Sequence, residues 1–227
     1  GLWEVAMETL GIVIAAVLIA LLLGIPLGIA MSASDRFNAI NTPILDAMQT
    51  MPSLVYLIPA LMLFGLGKVP GVFATVIYAL PPAVRLTNLG IRQVSGEVQE
   101  AALAFGASRW QMMKEVRIPL AMPTIMAGIN QTIMLALSMV VIASMIGAGG
   151  LGEEVLKATN RVDVGKGFEA GWAIVVLAIV IDRLSQTAAQ RWEPPSDNAA
   201  IHVEGSPALS GIPSTRSDKN QGSVKSS

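Results

Sequence analysis

Cysteine is absent from the 227 residues, which removes disulfides, thiolate metal sites and cysteine nucleophiles together. Charge is scarce as well: Asp, Glu, Lys and Arg make up 14% of the chain, against roughly 25% in soluble domains. Aromatic residues reach only 5%, and the single histidine, His202, lies in a polar stretch where a solvated side chain is expected rather than a ligand. A net charge of −1 provides no basic stripe, so no nucleic-acid partner is expected. No G-x-x-x-x-G-K-[ST] loop occurs, so the chain is not expected to bind ATP in the usual way, and no cofactor is expected in it. Nor is there a Ser/His/Asp set, a paired carboxylate cluster or a metal-ligand spacing. An enzyme reading has no residues to stand on.

The composition that remains is apolar, with 53% hydrophobic residues and a mean hydropathy of +0.61. Leu10 to Met31 is 22 residues without a charge; as a helix it is about 33 Å long, enough for a bilayer core of about 30 Å. Met51 to Leu66 is a second apolar run, with a polar approach through Asp46 and Gln49. Val69 to Val84 is a third, set off from the second by the Gly/Pro turn GLGKVPG at 65–71. Ile118 to Gly152 carries no charge, and a span is expected near Pro123 to Ile146, with GAGGLG at 147–152 as its end or a re-entrant break. Glu153 to Glu169 is a polar connection with a short helix expected around Glu154–Thr159, and Ala170 to Ile181 is a last, short apolar run. The fold class is therefore all-α, a polytopic transmembrane helical bundle of about five spans. Residues 1–193 form the transmembrane domain. Residues 194–227, rich in Ser, Pro, Gly and Asn, read as a disordered polar tail that cannot offset its ordering entropy by burial.

Between the third and fourth spans lies a charged, helix-prone island, EAALAFGASRWQMMKEVRIP, at 100–119. Arg109, Lys114, Glu115 and Arg117 sit in hydrocarbon only at high cost, so the island belongs in water against one membrane face. Ser95 is placed to start a first helix, Gly106 to break it with a sharp turn, and Ser108 to cap a second helix over Arg109–Val116. Pro119 precedes the next span, where a missing N–H does little harm. The expected product is a helix–turn–helix finger. Small Ala101 and Ala102 leave room for another protein to approach closely.

With the island on the cytoplasmic side, the inside holds Arg36, Arg85, Arg92, Arg109, Lys114, Arg117, Arg183 and Arg191. The outside holds Lys68, Lys157, Arg161 and Lys166. Eight against four agrees with the positive-inside rule. The same topology places Gly1 outside. No basic flank precedes the first apolar run, so it does not read as a signal peptide, and a further helix upstream is expected. Trp3 and Trp172 fall near outer ends, where indole rings favour the interface.

Glu100-Ala101-Ala102, Gly106, Val116 and Ile118-Pro119 stand at the spacing of the EAA loop of permease subunits in bacterial ABC importers, with Val116 and Ile118 as conservative stand-ins. The likeness extends over ILDAMQT (44–50), MPSLVYLIPALMLFGLGKVPG, ALPPAVRLTNLGI and MAGINQTIMLALSMVVIASMIG. Together these resemble the permease subunit of glycine betaine/proline betaine ABC importers from about Trp3 to Arg183. The resemblance implies a MetI-like permease domain over 1–193, with a coupling loop at 95–119, in a bacterial inner membrane. It implies an ATP-binding partner subunit that holds the ATP and grips Glu100, Ala101, Ala102, Gly106, Val116, Ile118 and Pro119. It also implies an external substrate-binding protein, a permease homodimer around the pathway, and a solute of the betaine type. Selectivity for quaternary ammonium in such systems rests on an aromatic cage in the binding protein, which fits the few aromatics here. Choline, carnitine, proline or another osmolyte is the alternative cargo. An ATPase-independent carrier and a purely structural subunit are the alternatives of class.

Asn130, Gln131 and Ser138 are the candidate pathway-lining residues. Gln131 and Ser138 are seven apart and share a helix face, and polar groups in lipid seek partners or a wet cavity. They line a pathway or tie helices together. Tyr56 and Tyr78 either face a cation or pack ordinarily. Gly24 and Gly28 fit close helix packing rather than a specific dimer contact, and Pro26 kinks their helix.

Overall fold

The computed structural model describes residues 1–190, and every regular element among them is helical. The expected tail at 194–227 lies outside the described residues, as does Arg191. Helix α1 (Leu2–Ala33) is the first span. Helices α2 (Asp35–Thr50) and α3 (Leu54–Phe64) meet at 92°. The second apolar run therefore does not continue its polar approach as one straight helix: the bend separates α3 from α2. Pro52 explains the break: it drives Met51 out of the α region, and Met51 adopts φ −75°, ψ 137°.

Helix α4 (Lys68–Arg92) continues through Pro81 and Pro82 past the expected end at Val84. Packing against neighbours on both sides makes such prolines tolerable in a span. Helix α5 (Gly96–Ala104) and the short α6 (Arg109–Gln111) form the finger. A π-helical turn, Met112–Arg117, joins α6 to α7 (Ile118–Ala143), so the second arm and the following span are one continuous rod from Arg109 to Ala143. The expected stop at Val116 is absent: the π-helical turn carries helical backbone through Arg117 and Ile118 into α7, and the helix runs on past Pro119. A second π-helical turn begins at Ser144 and breaks at a kink, where Ile146 (φ −110°, ψ 19°) and Gly147 (φ +102°) leave helical geometry; Gly149 and Gly150, with φ of +79° and +96°, then reverse the chain into α8 (Leu151–Asn160). Helix α9 (Val164–Gln190) is far longer than its apolar run, because it keeps Asp182 and Arg183 within the helix.

Helix α4 is the centre of the bundle, held between α1 and α7 by small residues. A Cβ on Gly28 would lie 2.7 Å from both Thr87 Cβ and Val84 O, and one on Gly128 would lie 2.9 Å from Leu86 Cβ. The Gly24–Gly28 pair therefore serves packing inside the chain, as expected. Buried Ile12, Val13, Val17, Ala79, Ala136 and Val140 fill the shared seam. The outward faces of α1, α3 and α9 carry exposed Leu18, Leu22, Met62, Leu63, Ile179 and Leu184, as lipid-facing surfaces do.

At the end of the bundle opposite the finger, Lys68 Nζ pairs with Glu8 Oε1 at 2.6 Å, binding α4 to α1. The Leu151 amide donates to Thr9 Oγ1 at 2.9 Å and fixes α8 on α1. On α8, Glu153 and Glu154 accept hydrogen bonds from Lys157 at 2.8 and 2.9 Å, which hold its ammonium above the ordinary lysine range.

Candidate coupling surface

The finger is built by local chemistry. Helix α5 ends in a reversed loop: Gly106 N–H donates to Leu103 O at 2.9 Å, and Ala107 N–H donates to Ala102 O at 3.1 Å. These two bonds satisfy carbonyls that a helix end leaves free, and they require the residue between them to be left-handed. Gly106 has φ +84°. Nothing lies within 4 Å of a Cβ built there, so backbone conformation and not space demands glycine. Ser108 then opens the second arm as expected. Its Oγ accepts from Gln111 N at 3.3 Å, and Gln111 Oε1 accepts from Ser108 N at 2.9 Å, a reciprocal capping box. Ser95 makes no cap bond with its side chain, against expectation; Gln99 instead donates to Val94 O at 2.8 Å and closes that end.

The two arms are tied together and rooted. Arg117 Nη2 donates to Gln99 Oε1 across the finger. Met112 is buried, and Met113 and Ile118 pack on the cluster of Ile91, Ala121 and Ile125 at the base of α4 and α7. Beyond this root nothing covers the finger: α5 has no buried residue. Glu100, Ala101, Gly106 and Pro119 are exposed, while Ala102, Val116 and Ile118 are half-buried toward the root. Among the described residues, Glu97, Glu100, Arg109, Lys114 and Glu115 form no ion pair.

The sequence reading missed the apolar tip. Phe105 is 93% exposed and Trp110 74%, with Leu103 and Val98 exposed nearby on α5. Large aromatics inside a charged, water-facing island were the available signal. Such a surface on a rigid finger is suited to docking. Trp110 also borders an apolar groove against α1, lined by Pro26, Ile29, Ala33 and Met113.

The candidate pathway residues separate. Gln131 and Ser138 lie on one exposed stripe of α7 with Met134 between them, and Ser138 Oγ donates to Met134 O at 3.0 Å. Asn130 turns to α9, where its Oδ1 accepts from Ser185 Oγ. It ties two helices.

A polar face missed in the sequence runs between α4 and α2. Arg85 Nη1 donates to Asp46 Oδ1 at 3.1 Å and to Gln49 Oε1 at 2.9 Å. Asn88 donates to Asn38 Oδ1 at 2.7 Å, and Arg92 Nη1 reaches Asp35 Oδ1 at 2.7 Å. The Tyr56 and Tyr78 rings meet at 5.9 Å, tilted by 54°.

Comparison with known proteins gives this architecture relatives. The chain is 59% identical over 184 residues to the glycine betaine/carnitine transport permease protein GbuB of Listeria monocytogenes, covering 81% of this chain and 65% of that protein. It is 57% identical over 186 residues to the glycine betaine/proline betaine transport system permease protein ProW of Escherichia coli, covering 82% of this chain and 52% of that protein. It is 52% identical to the glycine betaine transport system permease protein OpuAB of Bacillus subtilis, covering 82% and 66%. The chain thus spans about half to two thirds of the length of these relatives. Among solved structures, a chain of the inward-facing MetNI methionine ABC transporter superposes with a TM-score of 0.75 at 17% identity, over 86% of this chain and 95% of that one. That likeness establishes a shared MetI-type fold. The family model for the inner membrane component of binding-protein-dependent transport systems matches residues 16–194, and the chain belongs to that family.

Proposed function

We propose that the chain is the permease subunit of an ATP-driven importer for glycine betaine and related methylated ammonium solutes. An external binding protein delivers the solute. Separate ATP-binding subunits dock on the Gly96–Arg117 finger from the cytoplasm and hold the ATP. Two copies of the chain enclose the pathway. The observation that carries the docking part is the finger itself, where Phe105 and Trp110 are exposed on a scaffold held by two caps. The names of the relatives support the cargo, since glycine betaine, proline betaine and carnitine all carry a methylated ammonium.

The rod from Arg109 to Ala143 gives the mechanism its lever. A force on the finger is transmitted along α7 to the kink at Ile146–Gly147 and the glycines just beyond it on the far side. Nucleotide-dependent movement of the docked partner therefore biases a two-state bundle from the cytoplasmic end. The test is uptake of radiolabelled glycine betaine into proteoliposomes holding the full chain and its ATP-binding partner. Uptake is expected to require both internal ATP and external binding protein. Uptake that persists without either would instead describe a secondary carrier.

A further inference from the structure

Tyr78, Arg85 and Arg92 are spaced by sevens on α4. Seven residues are about two helical turns, so the three share a face. The α2–α3 elbow faces them residue for residue: Tyr56 against Tyr78, Asp46 and Gln49 against Arg85, Asp35 against Arg92. We propose that the upper part of this face is a transit site in the permease itself for a zwitterion, with its methylated ammonium on the Tyr56–Tyr78 corner and its carboxylate on Arg85. This assignment rests on the importer reading above and names the residues that would touch its cargo.

The rings are half-buried and tilted by 54°, so they form a corner and not a flat stack. A cation seated there meets two ring faces within the roughly 6 Å over which ring quadrupoles attract it. The Tyr56 hydroxyl donates to Met48 O at 2.6 Å, which fixes that ring and uses its polar end. Met48 is followed directly by Gln49, a partner of Arg85. The corner and the guanidinium therefore converge on the same last turn of α2.

Arg85 has capacity to spare. Both of its bonds leave from Nη1, and among the described residues Nη2 and Nε have no partner. These donors, on a half-exposed guanidinium, are open to a further acceptor. Its side chain leans toward the helix N-terminus, that is, toward Tyr78, which lies about 10.5 Å away along the axis. The Asp46 pair does not block this role. Both side chains are about half exposed, at 54% and 50%, and exposed pairs contribute little. A ligand carboxylate can share or replace Asp46 while Gln49 holds the guanidinium in place.

Two rings and a cation that already has a partner hold a ligand weakly. That suits a transit site, which must bind enough to admit and loosely enough to release.

The test is saturation-transfer NMR with glycine betaine on the complete permease–ATPase assembly in nanodiscs, without the binding protein. Transfer to the ligand methyls is expected in the wild type, to fall at least fivefold in Tyr78→Leu and Arg85→Gln, and to recover largely in Tyr78→Phe and Arg85→Lys. Tyr56→Leu replaces Tyr78→Leu should the latter fail to assemble. Equal signals in Tyr78→Leu and wild type, or equal losses in Tyr78→Leu and Tyr78→Phe, would overturn the site. Betaine import by wild-type protein in proteoliposomes is measured alongside. Its absence counts against the importer reading, and its presence with a failed NMR result counts against the site alone.

Discussion

The amide of Ala107 donates to the carbonyl of Ala102 at 3.1 Å, closing a loop around Gly106. This one bond sets the angle between the two arms of the finger. A non-glycine residue at φ +84° is strained by about 1–2 kcal/mol, and no atom within 4 Å adds to that cost. Gly106→Ala is therefore expected to weaken co-purification of the ATP-binding partner and to reduce uptake severalfold, with membrane insertion unchanged. Gly106→Asn, which tolerates the left-handed region, is expected to retain more of both. Equal behaviour of the two variants would mean that the loop angle is irrelevant to docking.

Phe105 and Trp110 supply the contact that the loop angle aims. Exposed aromatics that become buried in an interface are frequent hot spots, worth about 2 kcal/mol or more each, or roughly 30-fold in affinity. Because both are exposed in the chain alone, Phe105→Ala and Trp110→Ala are expected to leave its melting temperature in detergent within a degree or two. ATPase association in a pull-down titration is expected to fall by an order of magnitude or more. A fall in melting temperature with association intact would assign these rings to folding instead.

The finger was legible because its signals are local. Four charges exclude it from hydrocarbon, Gly106 permits the left-handed turn, and Ser108 is the expected cap, which Gln111 completes as a reciprocal box in the structure. The spans at α1, α4 and α7 were legible from uninterrupted apolar runs. Some of what escaped was local but masked by reading for apolarity alone, and the rest depended on partners distant in sequence. The bend between α2 and α3 follows from Pro52, yet a run read only for apolarity passes over it. Helix α9 looked short because Asp182 and Arg183 interrupt its run; in place, Gln186 Nε2 donates to Asp182 Oδ2 at 2.7 Å and keeps that carboxylate partnered within the helix. Asn130 looked like a neighbour of Gln131, but Ser185, 55 residues on, claims it. Arg85 was placed at a cytoplasmic margin, and only the fold shows it facing Asp46 across 39 residues of chain.

Close approach of α1 to α4 gives a sharper contrast between two glycines of one helix. A Cβ on Gly28 would sit 2.7 Å from backbone oxygen and from Thr87 Cβ, which cannot move aside without shifting α4. Overpacking of this kind costs about 1–3 kcal/mol. Gly11 has nothing within 4 Å of the same atom. Gly11→Ala is expected to be neutral or stabilising by up to about 1 kcal/mol through helix propensity. Gly28→Ala is expected to lower the detergent melting temperature by several degrees. Reversal of that order would contradict the assigned α1–α4 seam.

At the far end of the bundle one hydroxyl fixes the start of α8 on α1. Thr9 Oγ1 accepts the buried Leu151 amide at 2.9 Å while donating its own proton to Val5 O at 3.1 Å, so both of its roles are filled. Thr9 and Leu151 are fully buried, and water cannot substitute. Thr9→Val keeps the shape but leaves the amide orphaned, at a cost of about 1–3 kcal/mol. Thr9→Ser keeps the bond. Hydrogen exchange at the start of α8 is expected to accelerate by about one to two orders of magnitude in Thr9→Val and little in Thr9→Ser. The same bond anchors the segment just beyond Gly149–Gly150, which follow the kink that ends the rod running from the finger. Were the rod to carry motion from finger to far side, loosening its far anchor would also uncouple ATP hydrolysis from uptake. Thr9→Val is accordingly expected to lower solute imported per ATP. Unchanged stoichiometry with faster exchange would confine Thr9 to stability and leave the lever without its far support.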